Sequence, residues 1–342
     1  MSIKRIVVIG GGTGTFTVLQ ALRDTPCALT AIVATADNGG STGVLRDELG
    51  VLPPGDLRQA LVALAPDGTH LRELLSYRFT DGGLAGHNAG NILLSALEKV
   101  TGSSDAAVTE LGRILAIRGR VLPVTKELVQ LNAQELDGNI VRGQHNIDEF
   151  MWSNRGHLQR FWLEPATASL HPEAKQAISQ ADLVVIAPGS YFTSLIPNLL
   201  VRGMAEALQK TRARVVTISN LMTEKGQAEL FSVQDYVELL EQYAGSKVID
   251  YVLYNTKLPP AALLERYRQE RERQPVRVDV KKRRGLSYRL LGANLLATKV
   301  AHSGVAGDPL AKERTLIRHD PAKLARALLA LLYVADVEHY LR

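Results

Sequence analysis

The sequence predicts an α/β protein: a doubly wound, mainly parallel sheet with helices on both faces, plus a small antiparallel flap. Short, wholly apolar, β-branched runs recur along the chain, the signature of strands covered on both faces, and most are followed by a helical stretch. Several end in glycine-rich loops that open the next helix. Strands alternating with helices in this way imply right-handed crossovers and parallel pairing.

The first strand is Ile6-Val7-Val8-Ile9, which stops at Gly10. The other runs are Leu29 to Thr35, Leu183 to Ala187, Val215 to Ser219 and Val248 to Asn255. Helical patterns span 15–23, 55–64, 91–100, 105–116, 197–209, 233–243, 259–273 and 321–333, several beginning just after Pro, Asp, Ser or Gly, as capping predicts. Arg120 to Asn139 has a different texture, short alternating strands around a Leu136-Asp137-Gly138-Asn139 turn, and predicts the antiparallel flap, an insertion over 118–145. No repeat, linker or clear boundary interrupts the chain, which reads as one domain over 1–342.

Composition narrows the function. With 342 residues, 46% hydrophobic and 22% charged, the chain can bury a large core. Cys27 is the single cysteine, so no intramolecular disulfide and no cysteine-based metal site can form within one chain. The start lacks the pattern of a signal peptide, and no apolar run approaches the ~18 residues of a membrane span, so a cytoplasmic protein is expected. The net charge of +5 is concentrated in 266–273 and 281–284 without interleaved aromatics, which reads as a solvated face rather than a nucleic-acid surface.

The candidate site is drawn from loops at strand ends. Gly10-Gly11-Gly12-Thr13-Gly14 joins a strand to a helix, the setting in which backbone amides and a helix N-terminus cradle an anion. Thr15 stands where a strict dinucleotide fingerprint has its third glycine, and a bare tight turn is the plain alternative. After the second strand, Asp37-Asn38-Gly39-Gly40-Ser41 places an acid about where a ribose-binding carboxylate belongs; holding a cation or a hydroxyl is the alternative. Asp56 is either a helix cap or a functional acid, and Arg58 is available for a phosphate or for Asp37. Next, His87, Asn88 and Asn91 open a further helix, with the asparagines suited to recognising a base or sugar. The loop at 187–194, with Gly189, Ser190 and Thr193, is the strongest companion to the first. Two such loops from distant halves of the chain point to one crevice at a switch of strand order, with Asn220 and Asn255 on the same edge. Familiar catalytic sets are absent, and no catalytic residue or metal ligand is assigned.

Taken together, GGGTG at 10–14, ADNGGSTGVLRDELGVLPPGDLR at 36–58, GN at 90–91, RGRVLPVT at 118–125, APGSYFTSLIPNLL at 187–200, NLMTEKG at 220–226 and IRHD at 317–320 resemble the YvcK/CofD-like family, more closely its gluconeogenesis-factor branch. The resemblance covers about residues 3–330. It implies a Rossmann-like, CofD-like fold and a cytoplasmic regulator tied to gluconeogenic growth, cell shape and cell-wall precursor supply. The implied ligand is a nucleotide sugar such as UDP-N-acetylglucosamine, with NAD or GDP also suited to such a cleft. No cofactor is required; magnesium belongs to the rival reading, a CofD-type transferase. Regulatory protein partners are expected, and a homodimer is compatible. By the same resemblance Arg318 would pair with a diphosphate and Tyr267 would pack on a sugar or base. Where the family commonly has an acidic pair, this chain has Asp37-Asn38, and one usual serine is Thr42; the basic stretch 266–284 is also atypical.

Overall fold

The computed structural model describes residues 3–154, 158–224, 232–271, 273–298 and 317–341. Seven strands form one wholly parallel sheet: β1 (Lys4–Gly10), β2 (Cys27–Val33), β3 (Arg120–Pro123), β7 (Leu183–Ile186), β8 (Arg214–Ile218), β9 (Tyr251–Asn255) and β10 (Arg289–Ala293), in the spatial order β10-β9-β8-β7-β1-β2-β3. The chain builds outward from β1 through β2 to β3, then returns to β1 and builds the other way from β7. Order therefore reverses between β1 and β7, where Ile6 pairs with Leu183 and Ile9 with Ile186.

Alternation along each strand divides the core. Val7, Ile9, Ile32, Val184 and Ile186 pack on one face, and Ile6, Val8, Ala31, Val33, Leu183 and Val185 on the other. Both sets are buried, which is why the strands read as unbroken apolar runs. The flap is a three-stranded antiparallel sheet of β4 (Gln130–Glu135), β5 (Ile140–Arg142) and β6 (Leu158–Glu164), in the order β5-β4-β6. Its predicted turn is present: Asn139 N–H donates to the Asp137 carboxylate over 3.1 Å, and Gly138 has φ +94°.

The structure departs from the expectations at four places. Arg120–Pro123, read as part of the flap, instead pairs in parallel with β2; as an edge strand it tolerates Pro123 and carries charge, so it lacks the apolar run of a central strand. β10 went unread because it contains Arg289 and Gly292. That glycine marks no turn: a Cβ there would lie 2.7 Å from the Tyr254 hydroxyl. The helical pattern over 197–209 is two helices, Ile196–Leu200 and Met204–Lys210, separated by Gly203 at φ +95°. The glycine-rich segment after β2 also conceals a helix, Gly40–Leu49.

Candidate functional site

The reversal of strand order falls at the carboxyl ends of β1 and β7, and the two predicted glycine loops meet there. A Cβ at Gly14 would overlap the Pro188 carbonyl oxygen, and one at Gly10 would lie 3.2 Å from the Ala187 side chain. Gly14 thus serves the close packing that the third glycine of a dinucleotide fingerprint provides, one position before the place the spacing suggested. Gly11 caps the helix Gly12–Leu22 without a side chain, and Gly12 takes φ +66°. Thr13 lies in the first turn of that helix, where its carbonyl accepts the Thr17 hydroxyl.

On the β1/β2 wall, the Asp56 carboxylate accepts the Gly12 N–H at 2.9 Å, so an internal anion already engages the glycine loop. Burial, and then the nearby Asp37 charge, push the Asp56 carboxyl up to about 7 against the opposing pull of that N–H. Asp37 is likewise raised by burial, while its Oδ1 accepts the Gly39 N–H at 2.9 Å. Gly55 has no room for a side chain here: a Cβ would stand 3.0 Å from Asp37 Oδ2. Asp56, read as either a helix cap or a functional acid, thus engages the glycine loop beside Asp37.

Behind them runs a polar relay. The Ser41 hydroxyl lies 3.2 Å from His87 Nδ1 and accepts the Asn88 N–H at 3.3 Å; Asn91 Nδ2 reaches Thr42 Oγ1 at 3.4 Å. Arg58 Nε donates to Asn91 Oδ1 at 2.8 Å and its Nη1 to the Leu75 carbonyl, so its guanidinium is anchored within the relay. Asn88 also caps its helix, accepting from Asn91 N–H. Gly39 and Gly40 sit at the mouth, where a Cβ on Gly40 would meet nothing within 4 Å.

On the β7/β8 wall, Asn220 grips the loop after β7 with both ends of its amide: Gly189 N–H donates to its Oδ1 at 3.0 Å and its Nδ2 donates to the Gly189 carbonyl at 2.9 Å. Ser190 Oγ and Thr193 Oγ1 are 2.7 Å apart, and Thr193 Oγ1 lies 3.1 Å from Asp148 Oδ1. Ser190 also hydrogen-bonds Glu224. These three contacts between oxygens have only two hydroxyl protons to share, so the ladder Asp148–Thr193–Ser190–Glu224 closes only when one carboxyl is protonated. Burial raises both acids accordingly, Asp148 to about 6.

The remaining predicted residues make other contacts. Asn255 closes a local turn with Lys257 and accepts the Leu295 N–H at 3.0 Å. Tyr267 is buried with Leu221, Met222, Leu296 and Ile317, and its hydroxyl accepts the Ile317 N–H at 3.1 Å. The Arg318 carbonyl accepts from Ala297 N–H, tying 317–320 to the segment after β10. Asn38 faces the flap, its Oδ1 accepting the His145 N–H at 2.9 Å. Within the basic stretch, Lys282 pairs with Asp235 and Arg268 with Glu265. The last two residues of the 220–226 segment lie outside the described residues.

Asp148 and Glu224 escaped the sequence reading. Glu224 lay inside a quoted motif but without a partner to give it meaning, and Asp148 sits in a helix, Gln144–Asn154, that the apolar periodicity did not pick out. At the opposite end of the sheet a groove of about 590 Å³ receives none of the predicted residues, and two of its arginines, Arg118 and Arg120, are paired with Asp24 and Glu173. Among the described residues no three His, Cys, Asp or Glu side chains converge as a metal site, and no helix is long and apolar enough to cross a membrane.

A parallel sheet with paired glycine loops at its switch point defines a doubly wound α/β protein of the kind that takes ligands beyond the strand ends. The profile of 2-phospho-L-lactate transferase CofD matches residues 6–296. A putative gluconeogenesis factor of Thermotoga maritima is 40% identical, over 94% of this chain and 97% of that protein. The gluconeogenesis factor of Bacillus subtilis is 37% identical, over 96% and 98%. A crystal structure of a UPF0052-family protein from Bacillus halodurans is 34% identical and superposes with a TM-score of 0.86, covering 96% of this chain and 99% of that one. The chain belongs to the CofD-like family, in its gluconeogenesis-factor branch.

Proposed function

We propose that the chain is a cytoplasmic regulator that binds a nucleotide sugar of the UDP-N-acetylglucosamine type between β1 and β7, and that occupancy shifts a conformation read by protein partners serving cell shape and cell-wall precursor supply. The observation that carries this reading is the meeting of two glycine loops, from residues 10–14 and 188–194, at the reversal of strand order between β1 and β7. Their amides and the Ser190 and Thr193 hydroxyls suit a diphosphate. The Ser41–Asn91 relay supplies neutral donors and acceptors suited to sugar, ribose or base.

A second reading is favoured by the coupled acids. Asp37 and Asp56 fit a magnesium ion held by two carboxylates together with ligand phosphates, the usual manner for that ion. Such an ion would supply charge neutralisation for a CofD-type transfer from a nucleoside-diphosphate donor.

Calorimetric titration with UDP-N-acetylglucosamine, GDP and NAD, with and without magnesium, separates the two. Micromolar binding of the UDP-sugar, independent of magnesium and without its consumption, is expected. Preference for GDP with a strict magnesium requirement would favour the transferase, and binding of none of the three would remove the nucleotide site. Gly12→Ala is the control, since a Cβ at φ +66° strains the loop by about 1 kcal/mol.

A further inference from the structure

Asp148 reaches the crevice from outside the main sheet, on the flap helix Gln144–Asn154. That helix bridges the two loops. Its first turn holds the loop after β2 through His145 N–H and Asn38 Oδ1, and a turn later Asp148 holds the loop after β7 through Thr193. Two carboxylates from other elements, Glu224 after β8 and Asp37 after β2, oppose the ionisation of Asp148, whereas Gln144 on its own helix donates to Oδ2 at 3.4 Å.

The Thr193 hydroxyl is the donor that a diphosphate on the loop after β7 would require, and Asp148 already occupies it. A hydroxyl has one proton, so carboxylate and phosphate cannot both receive it, and two anions at that distance repel. We propose that Asp148 is an affinity-determining residue, an internal competitor for the anionic group of the ligand, and that ligand entry breaks the Asp148–Thr193 contact and displaces the flap helix. This rests on the nucleotide-sugar reading above. It makes the flap the element through which occupancy reaches the surface. Trp152, which stands 47% exposed on that helix, marks the face that would change.

The chain provides its own reporter. Its two tryptophans, Trp152 on the flap helix and Trp162 in β6, both belong to the flap. UDP-N-acetylglucosamine is titrated into the wild-type protein and Asp148→Asn, with heat and tryptophan emission followed together. The asparagine keeps the size of the side chain and removes its charge, so the variant is expected to bind roughly tenfold more tightly, the equivalent of one charge-assisted contact. Wild-type emission is expected to shift in proportion to occupancy. Equal or weaker binding by a folded Asp148→Asn, or wild-type emission unmoved at saturation, would overturn the inference while leaving the nucleotide-sugar reading in place. Absence of binding by the wild-type protein would overturn that reading and the inference together, and the emission arm decides the matter even if the variant does not fold.

Discussion

The two walls of the crevice solve one problem with opposite materials. On the β1/β2 wall, Asp37 and Asp56 lie within twenty residues of each other and spend their charge on the backbone, holding the N–H groups of Gly39 and Gly12. On the β7/β8 wall, Asp148 and Glu224 come from the flap and from the segment after β8, and engage side-chain hydroxyls. A carboxylate on a backbone amide fixes a loop, whereas one on a hydroxyl chain leaves a proton that can be redistributed. The first wall is a rigid cradle; the second has more than one way to be satisfied.

Gly14→Ala should break both walls at once, because its Cβ would overlap the Pro188 carbonyl and neither backbone can withdraw. A loss of roughly 3 kcal/mol is expected, with ligand binding lost as the loops separate; thermal melting with titration checks it. Ordinary stability in this variant would show that the loops do not pack as described.

Asp56→Asn sharpens the contrast on the first wall through pH. The Asp56 carboxyl titrates near 4 in the unfolded chain and at about 7 when folded, so the native state binds the proton more tightly. Its contribution to stability is greatest below the unfolded value and is lost as pH rises to about 7. The variant should escape this loss, gaining on the wild type between pH 5 and 7 by up to about 1.4 kcal/mol per pH unit. Urea unfolding at pH 5, 6, 7 and 8 measures the difference, and parallel curves would show that Asp56 does not titrate there.

The smallest effect is expected from Asn220→Ala on the second wall. Removing both hydrogen bonds to Gly189 should cost about 1–2 kcal/mol and weaken ligand binding. Unchanged affinity at lowered stability would make Asn220 a fold residue alone.

How far the sequence reaches follows the same division. The loop at 10–14, Asp37 and the loop at 188–194 were legible because glycine strings after apolar runs have few other uses, and the switch point could be anticipated from two such loops in distant halves of the chain. Gly40–Leu49 was hidden as a helix because Gly39, Gly40 and Gly43 have low helical propensity; a Cβ at Gly43 would run into the Asn38 carbonyl, so close packing demanded what local preference disfavours. Tyr267 shows the reverse case. The family resemblance implied that it packs on a ligand, with a core-facing place in its helix as the alternative, and it lies in a small apolar cluster with Ile317.

The sequence by itself determined the strand–helix alternation, the central strands buried on both faces, and the glycine loops that end the first and third of them, because those properties live in periodicity and local backbone freedom. Tertiary structure alone decided that Arg120–Pro123 and Arg289–Ala293 form the two edges of the sheet, and that Asp148 and Glu224 join Ser190 and Thr193. Edge strands need little apolar pattern, and a carboxylate's environment is made by residues far away in the chain.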